Sequence, residues 1–184
     1  LTGSSGSGGA MAIFVFNTPS SFVSPVSISV SGCNFTANMA SAPIASAGAL
    51  LIQYLTQPLG FIFGPVPTTV SVINTFFGGN VAQSLLSNVP ASAFGGALCL
   101  QQTPQFAAAV QPPNLQFYSV ISGCTFASNS VTIHRYDSVI GNAGGGAIAM
   151  YVGLGIQDDP TSVSVSASVT NSKFFGNNVM CQGF

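Results

Sequence analysis

Apolar and hydroxyl-bearing residues alternate with period two at several places along the chain. The clearest stretches are Pro25-Val26-Ser27-Ile28-Ser29-Val30, Thr69-Val70-Ser71-Val72-Ile73 and Ser162-Val163-Ser164-Val165-Ser166. Successive side chains of a strand point to opposite faces, so this pattern predicts strands with one face buried and one wet. Gln116 to Ile121 is a less regular counterpart. A second set of predicted strands runs from Ala10 to Phe16, Ala49 to Tyr54, Ala97 to Leu100 and Ala147 to Val152. These are apolar on both faces: Leu98 and Leu100 point one way, Ala97 and Cys99 the other. Helical spacing is nearly absent, and 21 Gly and 11 Pro break the chain throughout. The pattern predicts an all-β fold.

Two short phrases recur. Phe-x-x-Asn appears as Phe35 to Asn38, Phe77 to Asn80, Phe126 to Asn129 and Phe174 to Asn177. A β-branched residue stands five places before each Phe (Val30, Val72, Ile121, Val169), and a small one two places before (Cys33, Thr75, Cys124, Ser172). Between these copies lie Gly8-Gly9-Ala10-Met11, Ala47-Gly48-Ala49-Leu50, Gly95-Gly96-Ala97-Leu98 and Gly145-Gly146-Ala147-Ile148. The steps between Phe-x-x-Asn copies are 42, 49 and 48 residues. Self-similarity at a long period marks a repeat architecture. Residues 1–184 therefore read as one β-helix repeat domain of about four repeats. Each holds a Gly-Ala strand, a long variable loop, a Val-Ser strand and a Phe-x-x-Asn turn. Stacking the repeats as coils about 4.8 Å apart puts Phe35, Phe77, Phe126 and Phe174 in an internal aromatic ladder. It puts Asn38, Asn80, Asn129 and Asn177 in an amide ladder at a corner, where Asn tolerates left-handed turn geometry.

Gly145-Gly146-Ala147-Ile148 and the four Phe-x-x-Asn copies resemble the alternating Gly-Gly-Ala-Ile and Phe-x-x-Asn repeats of the polymorphic outer membrane protein family. That family is known from chlamydial autotransporters and from eukaryotic, especially algal, surface proteins. Gly95-Gly96-Ala97-Leu98 is a near match, and Ala47 departs from the first Gly. The resemblance spans nearly the whole chain, though each motif is short. It implies a right-handed parallel β-helix, a solenoid with long inserted loops, and a surface or secreted setting.

Composition narrows the function. Only 3% of residues are charged, with Arg135 and Lys173 the two basic ones, against roughly 25% in an ordinary soluble domain. A phosphate backbone is gripped by clustered cations, so a nucleic-acid partner is not expected. Mean hydropathy is +0.56, yet the most apolar stretch, Leu50 to Val66, is interrupted by Gln53, Gln57, Pro58, Gly60 and Pro65. No transmembrane segment is expected. Hydrophobic content of 47% and net charge −1 are unlike a disordered chain.

Candidate chemistry is sparse. No Cys-x-x-Cys occurs and there is one His, so neither a metal site nor a cofactor is expected. Cys33 and Cys124 fall at one coil position two repeats apart, about 10 Å by stacking distance, too far for a disulfide. They read as small core residues. Cys99 and Cys181 could pair if the chain after Asn177 folds back. His134-Arg135-Tyr136-Asp137 is the one dense polar cluster and reads as a solvated loop patch. Asp158-Asp159-Pro160 reads as a turn. Those three carboxylates are the only ones in the chain, and no paired acid–base constellation is expected. Asn34-Phe35-Thr36 is the only N-glycosylation sequon. With Cys33 and Phe35 inward, Asn34 points out. Thr125 and Lys173 share its slot, and so does Phe76.

The expected function is an extracellular or cell-surface structural protein with no catalytic residues: a self-assembling β-helix unit of a fibre, wall layer or adhesin. A glycan- or ice-binding solenoid is the alternative, suggested by outward Ser27, Ser29, Thr69, Ser71, Ser164 and Ser166. A polysaccharide-active enzyme is a weaker rival. The chain starts at Leu1 beside one repeat phrase and stops soon after another, with no signal peptide visible and no charged residue near either end. Open strand edges template further strands, so identical subunits or further coils are expected at both ends.

Overall fold

β-Branched and aromatic residues at alternate positions favour extended backbone, and twenty strands form among the described residues of the computed structural model. The structure describes residues 5–17, 25–56, 66–85, 92–104, 115–135, 142–152 and 163–183. The first circuit of the chain holds β1 (Ser5–Ser7), β2 (Met11–Asn17), β3 (Val26–Ser31), β4 (Asn34–Thr36) and β5 (Met39–Ala42). The second holds β6 (Ile44–Ser46), β7 (Leu50–Thr56), β8 (Val66–Ile73), β9 (Phe76–Gly78) and β10 (Val81–Ser84). The third holds β11 (Ser92–Phe94), β12 (Leu98–Pro104), β13 (Leu115–Ser122), β14 (Thr125–Ala127) and β15 (Ser130–Arg135). The fourth holds β16 (Asn142–Gly144), β17 (Ile148–Val152), β18 (Val163–Thr170), β19 (Lys173–Phe175) and β20 (Asn178–Gly183).

Each strand pairs in parallel with the strand five places on, giving five four-stranded sheets. We number them by their first strand, sheet 1 (β1, β6, β11, β16) to sheet 5 (β5, β10, β15, β20). The chain visits the five in the same order four times. Only Pro43 separates β5 from β6, whereas residues 85–91 and 136–141 fill the equivalent connections. That is why the first repeat step is the shortest.

The two expected strand sets are sheets 2 and 3. Sheets 1 and 5 were not expected. They meet through Ala40, Ala45, Ala82 and Ala93 with Val131 and Ile133, a thin core made largely of methyl groups. Six of their eight strands are three- or four-residue segments of mostly small residues, with too little alternation to be read as strands. β15 does alternate, with Val131 and Ile133 buried, and was overlooked because only one circuit shows it. The larger core lies between sheet 2 (Leu50, Ile52, Leu98, Leu100) and sheets 3 and 4 (Val70, Val72, Phe117, Ile121, Phe77, Phe126). Sheet 2 buries its other face as well: Leu51 and Cys99 pack with Ala47, Phe94 and Ala149.

The Phe-x-x-Asn phrase is not a turn but a three-residue strand followed by one left-handed residue. That residue is Ala37, Gly79, Ser128 or Gly176, with φ of 53, 63, 53 and 63°. The conserved shape of the corner thus rests one place before the Asn, not on it. A second left-handed file lies between sheets 3 and 4 (Gly32, Asn74, Gly123, Asn171), and a third opens the Gly-Ala phrase (Gly8, Ala47, Gly95, Gly145). Ala47 holds φ 62° there, and its methyl is buried against Leu51 and Cys99, which offsets the left-handed strain.

The second glycine of the phrase answers to a different constraint. A Cβ on Gly48 would fall 2.6 Å from the Val81 backbone N, and one on Gly96 2.8 Å from the Ser130 N and O. One on Gly9 would meet Met39 at 2.8 Å, and one on Gly146 Asn178 at 2.8 Å. Met39, Val81, Ser130 and Asn178 each directly follow the Asn of Phe-x-x-Asn. The two phrases therefore touch once per circuit, backbone to backbone, and close its cross-section. Gly96→Ala is expected to cost about 2–3 kcal/mol, since backbone cannot move aside for the methyl. Gly95→Ala is expected to cost about 1–2 kcal/mol, with the left-handed penalty dominant. Its Cβ would crowd the Leu98 carbonyl oxygen, but Ala47 holds the same left-handed slot in the second circuit, so that contact can relax. Urea unfolding of the two variants checks the order.

Candidate functional site

The residues that recur at one position per circuit form three files along the stack. The first is aromatic. Phe35, Phe77, Phe126 and Phe174 stack with ring centroids 5.1, 4.9 and 4.8 Å apart and planes within 8° of parallel. Strand pairing fixes this register, because Phe35 is opposite Phe77 and Phe126 lies between Phe77 and Phe174.

The second file is the amides of Asn38, Asn80, Asn129 and Asn177. The backbone N–H of Asn80 donates to Asn129 Oδ1 at 3.0 Å, and its Nδ2 donates to the same oxygen at 2.8 Å. Its other Nδ2 hydrogen goes to the Phe35 carbonyl at 3.0 Å. Asn129 repeats the pattern with Asn177 Oδ1 and the Phe77 carbonyl. Asn38 donates to Asn80 Oδ1 in the same way. Asn80 and Asn129 are fully buried, and every amide hydrogen of theirs is used. Buried polar groups stand in a core only when partnered.

The third file is the small residue two places before each Phe, where Cys33 and Cys124 are expected as core residues. Cys33, Thr75, Cys124 and Ser172 do flank the core, but each side chain also donates to the carbonyl two residues earlier: Ser31, Ile73, Ser122 and Thr170. Thr75 Oγ1 accepts from the Cys33 N–H, and Ser172 Oγ from the Cys124 N–H. The signal that could have found this is chemical: the slot admits only Cys, Thr and Ser, each a small side chain with a donor.

Cys33 and Cys124 are free thiols, as is Cys99. The Cys99–Cys181 pairing is therefore not made. Cys99 lies on β12 in sheet 2, facing Leu51 and Ala149. Cys181 is on β20 in sheet 5, and its side chain lies outside the described residues. Burial pushes the Cys99 thiol up from 9.0 to about 12. Burial also raises Cys124, with backbone contacts to Thr75 and Ser122 pulling the other way. A raised thiol pKa favours the folded state below pH 9, and that contribution is lost as pH climbs from 9 towards 12. At pH 10 the protein is expected to be about 1.4 kcal/mol less stable through Cys99 than at neutral pH. Denaturation of Cys99→Ala at the two pH values checks this: the difference should shrink by that amount.

Asn34 and Thr36 are exposed on either side of buried Phe35, and Thr36 Oγ1 donates to Asn34 Oδ1 at 3.2 Å. The outward hydroxyls of sheet 3 do not form an unbroken file. Ser27 and Thr69 are followed by Tyr118 before Ser166, and Ser29 and Ser71 by Val120 before Ser168. Ser164 pairs with Gln116, and its side chain lies outside the described residues. His134 Nε2 lies 2.8 Å from Gln83 Nε2, and the backbone N–H of His134 donates to Ser84 Oγ. Tyr136, Asp137, Asp158, Asp159 and Pro160 lie outside the described residues, as does the side chain of Arg135. Among the described residues no helix is long and apolar enough to cross a membrane.

No family model matches the chain, and no curated protein or solved structure matches it.

Proposed function

We propose that this chain is a structural unit of an extracellular or cell-surface fibre or wall layer. It is a right-handed parallel β-helix, related in its repeats to the polymorphic outer membrane proteins, and it acts by stacking coils rather than by catalysis. Right-handedness follows the general rule for crossovers between parallel strands. The resemblance rests on the alternation of the two phrases, which the contact between them explains.

One observation carries the reading. Equivalent core positions differ sharply along the stack. Val72, Phe77 and Ala82 of the second circuit are 0% exposed, whereas Val169, Phe174 and Val179 of the fourth are 47, 48 and 43% exposed. The fourth circuit leaves Val169, Phe174 and Val179 uncovered, with the strand edges of sheets 3, 4 and 5 beside them. A further coil, from the same polypeptide or an identical subunit, covers that surface and continues the parallel pairing. Repetition of this contact gives an open filament unless its rotation closes a ring. Sedimentation and negative-stain imaging of native material are expected to show particles longer than four circuits. A compact 184-residue monomer with Phe174 shielded by its own loops overturns the proposal.

The secreted setting brings a modification with it: Asn34 carries an N-linked glycan when the chain passes through a eukaryotic secretory route. Intact mass before and after glycosidase treatment tests this, and an unshifted mass refutes it.

A further inference from the structure

On the outer face of sheet 4, the file that holds Asn34 contains one residue that its slot does not explain. Asn34 on β4 is opposite Phe76 on β9, which is opposite Thr125 on β14, and Thr125 is opposite Lys173 on β19. Three of these are polar, as an outward slot requires. Phe76 is not, and its side chain is 38% exposed. Its ring does not fold into the core, which Phe77 fills from the other face of the same strand.

Phe76 instead leans along its own strand. A Cβ on Gly78 would lie 2.5 Å from Phe76 Cε1 and 2.8 Å from Cζ, with the Thr36 methyl at 3.3 Å. The ring therefore covers the space that a side chain at 78 would occupy, next to Thr36. The equivalent positions in the other circuits are Thr36, Ala127 and Phe175, so only Gly78 leaves this room. The result is a phenyl surface against the sequon: Asn34 is its cross-strand neighbour and Thr36 touches the same space.

We propose that Phe76 is the stacking platform for the first sugar of an N-linked glycan on Asn34. Acceptor and platform come from adjacent circuits. Facing residues of paired strands stand about 5 Å apart, within reach of one N-acetylhexosamine attached to Asn34 Nδ2. One face of a pyranose presents positively polarised C–H bonds, and the face of a phenyl ring is negative. The stacked sugar covers the exposed ring, while Thr36 borders it on the coil-one side. This rests on the occupancy of Asn34 proposed above.

The test uses protein secreted from a eukaryotic host in four forms: wild type, Asn34→Gln, Phe76→Thr and the double variant. Threonine fills the same slot at Thr125, so the sheet accommodates it. Phe76→Leu is a further control that keeps apolar area without a π face. In wild type the C–H protons of the first sugar should be shifted upfield by the ring current. In Phe76→Thr and Phe76→Leu they should return to free-glycan positions. The glycan should raise Tm by about 3 °C in wild type and not in Phe76→Thr. A glycan present on Asn34 with identical proton shifts and Tm increments in all backgrounds overturns the platform and leaves the occupancy standing. Absence of glycan on secreted wild type overturns both.

Discussion

Asn129→Ala is expected to lower the unfolding free energy by about 4 kcal/mol. The substitution orphans three buried groups at once. The Asn80 N–H and one Asn80 Nδ2 hydrogen lose Asn129 Oδ1, and the Phe77 carbonyl loses Asn129 Nδ2. Each unsatisfied buried group costs about 1–3 kcal/mol. The same substitution at Asn38 removes one side-chain bond, to Asn80 Oδ1, whose acceptor role is still met by the Asn38 N–H. About 1 kcal/mol is expected there. Equilibrium urea unfolding of both variants is the measurement. Equal losses at the two sites would show that the amide file acts through backbone geometry alone and not through its side-chain bonds. Asn129→Asp should be at least as damaging as alanine near neutral pH. A carboxylate cannot donate to the Phe77 carbonyl, and burial without a cation is costly.

The aromatic file gives the second large effect. Phe126→Ala is expected to cost about 3–5 kcal/mol, the range for a buried phenyl. Phe126 is 0% exposed, with a ring stacked on each side at 4.9 and 4.8 Å. Phe174 has one such neighbour and is half exposed, so Phe174→Ala should cost about 1 kcal/mol in isolated chains. In material assembled through the fourth circuit, the Phe174 cost should rise towards that of Phe126. Thermal unfolding of both variants, at concentrations below and above assembly, separates the two cases.

Both ladders were legible in the sequence because each uses one residue per circuit at a fixed offset, and parallel in-register pairing turns a repeated offset into a repeated contact. Phe35, Phe77, Phe126 and Phe174 could be placed in one file without knowing how many strands made a circuit. That number was not legible. Sheet 1 and half of sheet 5 are built from segments such as Ile44–Ser46 and Met39–Ala42, too short and too rich in small residues to show a period. The left-handed residue was read at the Asn, where side-chain chemistry favours it, but it sits one place earlier at Ala37 and Ser128. There the corner overrides local preference. The hydrogen bonds of Cys33 and Cys124 were missed for a similar reason. A thiol reads as a small apolar filler until the backbone carbonyl it faces is known. Phe76 stood out in the sequence as a misfit in an exposed slot, but the vacancy at Gly78 that receives its ring becomes visible only when neighbouring circuits are superposed.

The amide file also has a direction. Asn38, Asn80 and Asn129 each give two hydrogens to the Asn of the circuit that follows, and Asn80, Asn129 and Asn177 each take two from the circuit before. The file is a one-way chain of dipoles. Its fourth-circuit end presents donors, and its first-circuit end presents an acceptor. Two copies meeting by their fourth circuits across a two-fold axis would set donor against donor. A copy arriving by its first circuit brings the matching oxygen. Any assembly that extends this file is therefore polar, with a donor end and an acceptor end that are free to grow at unlike rates.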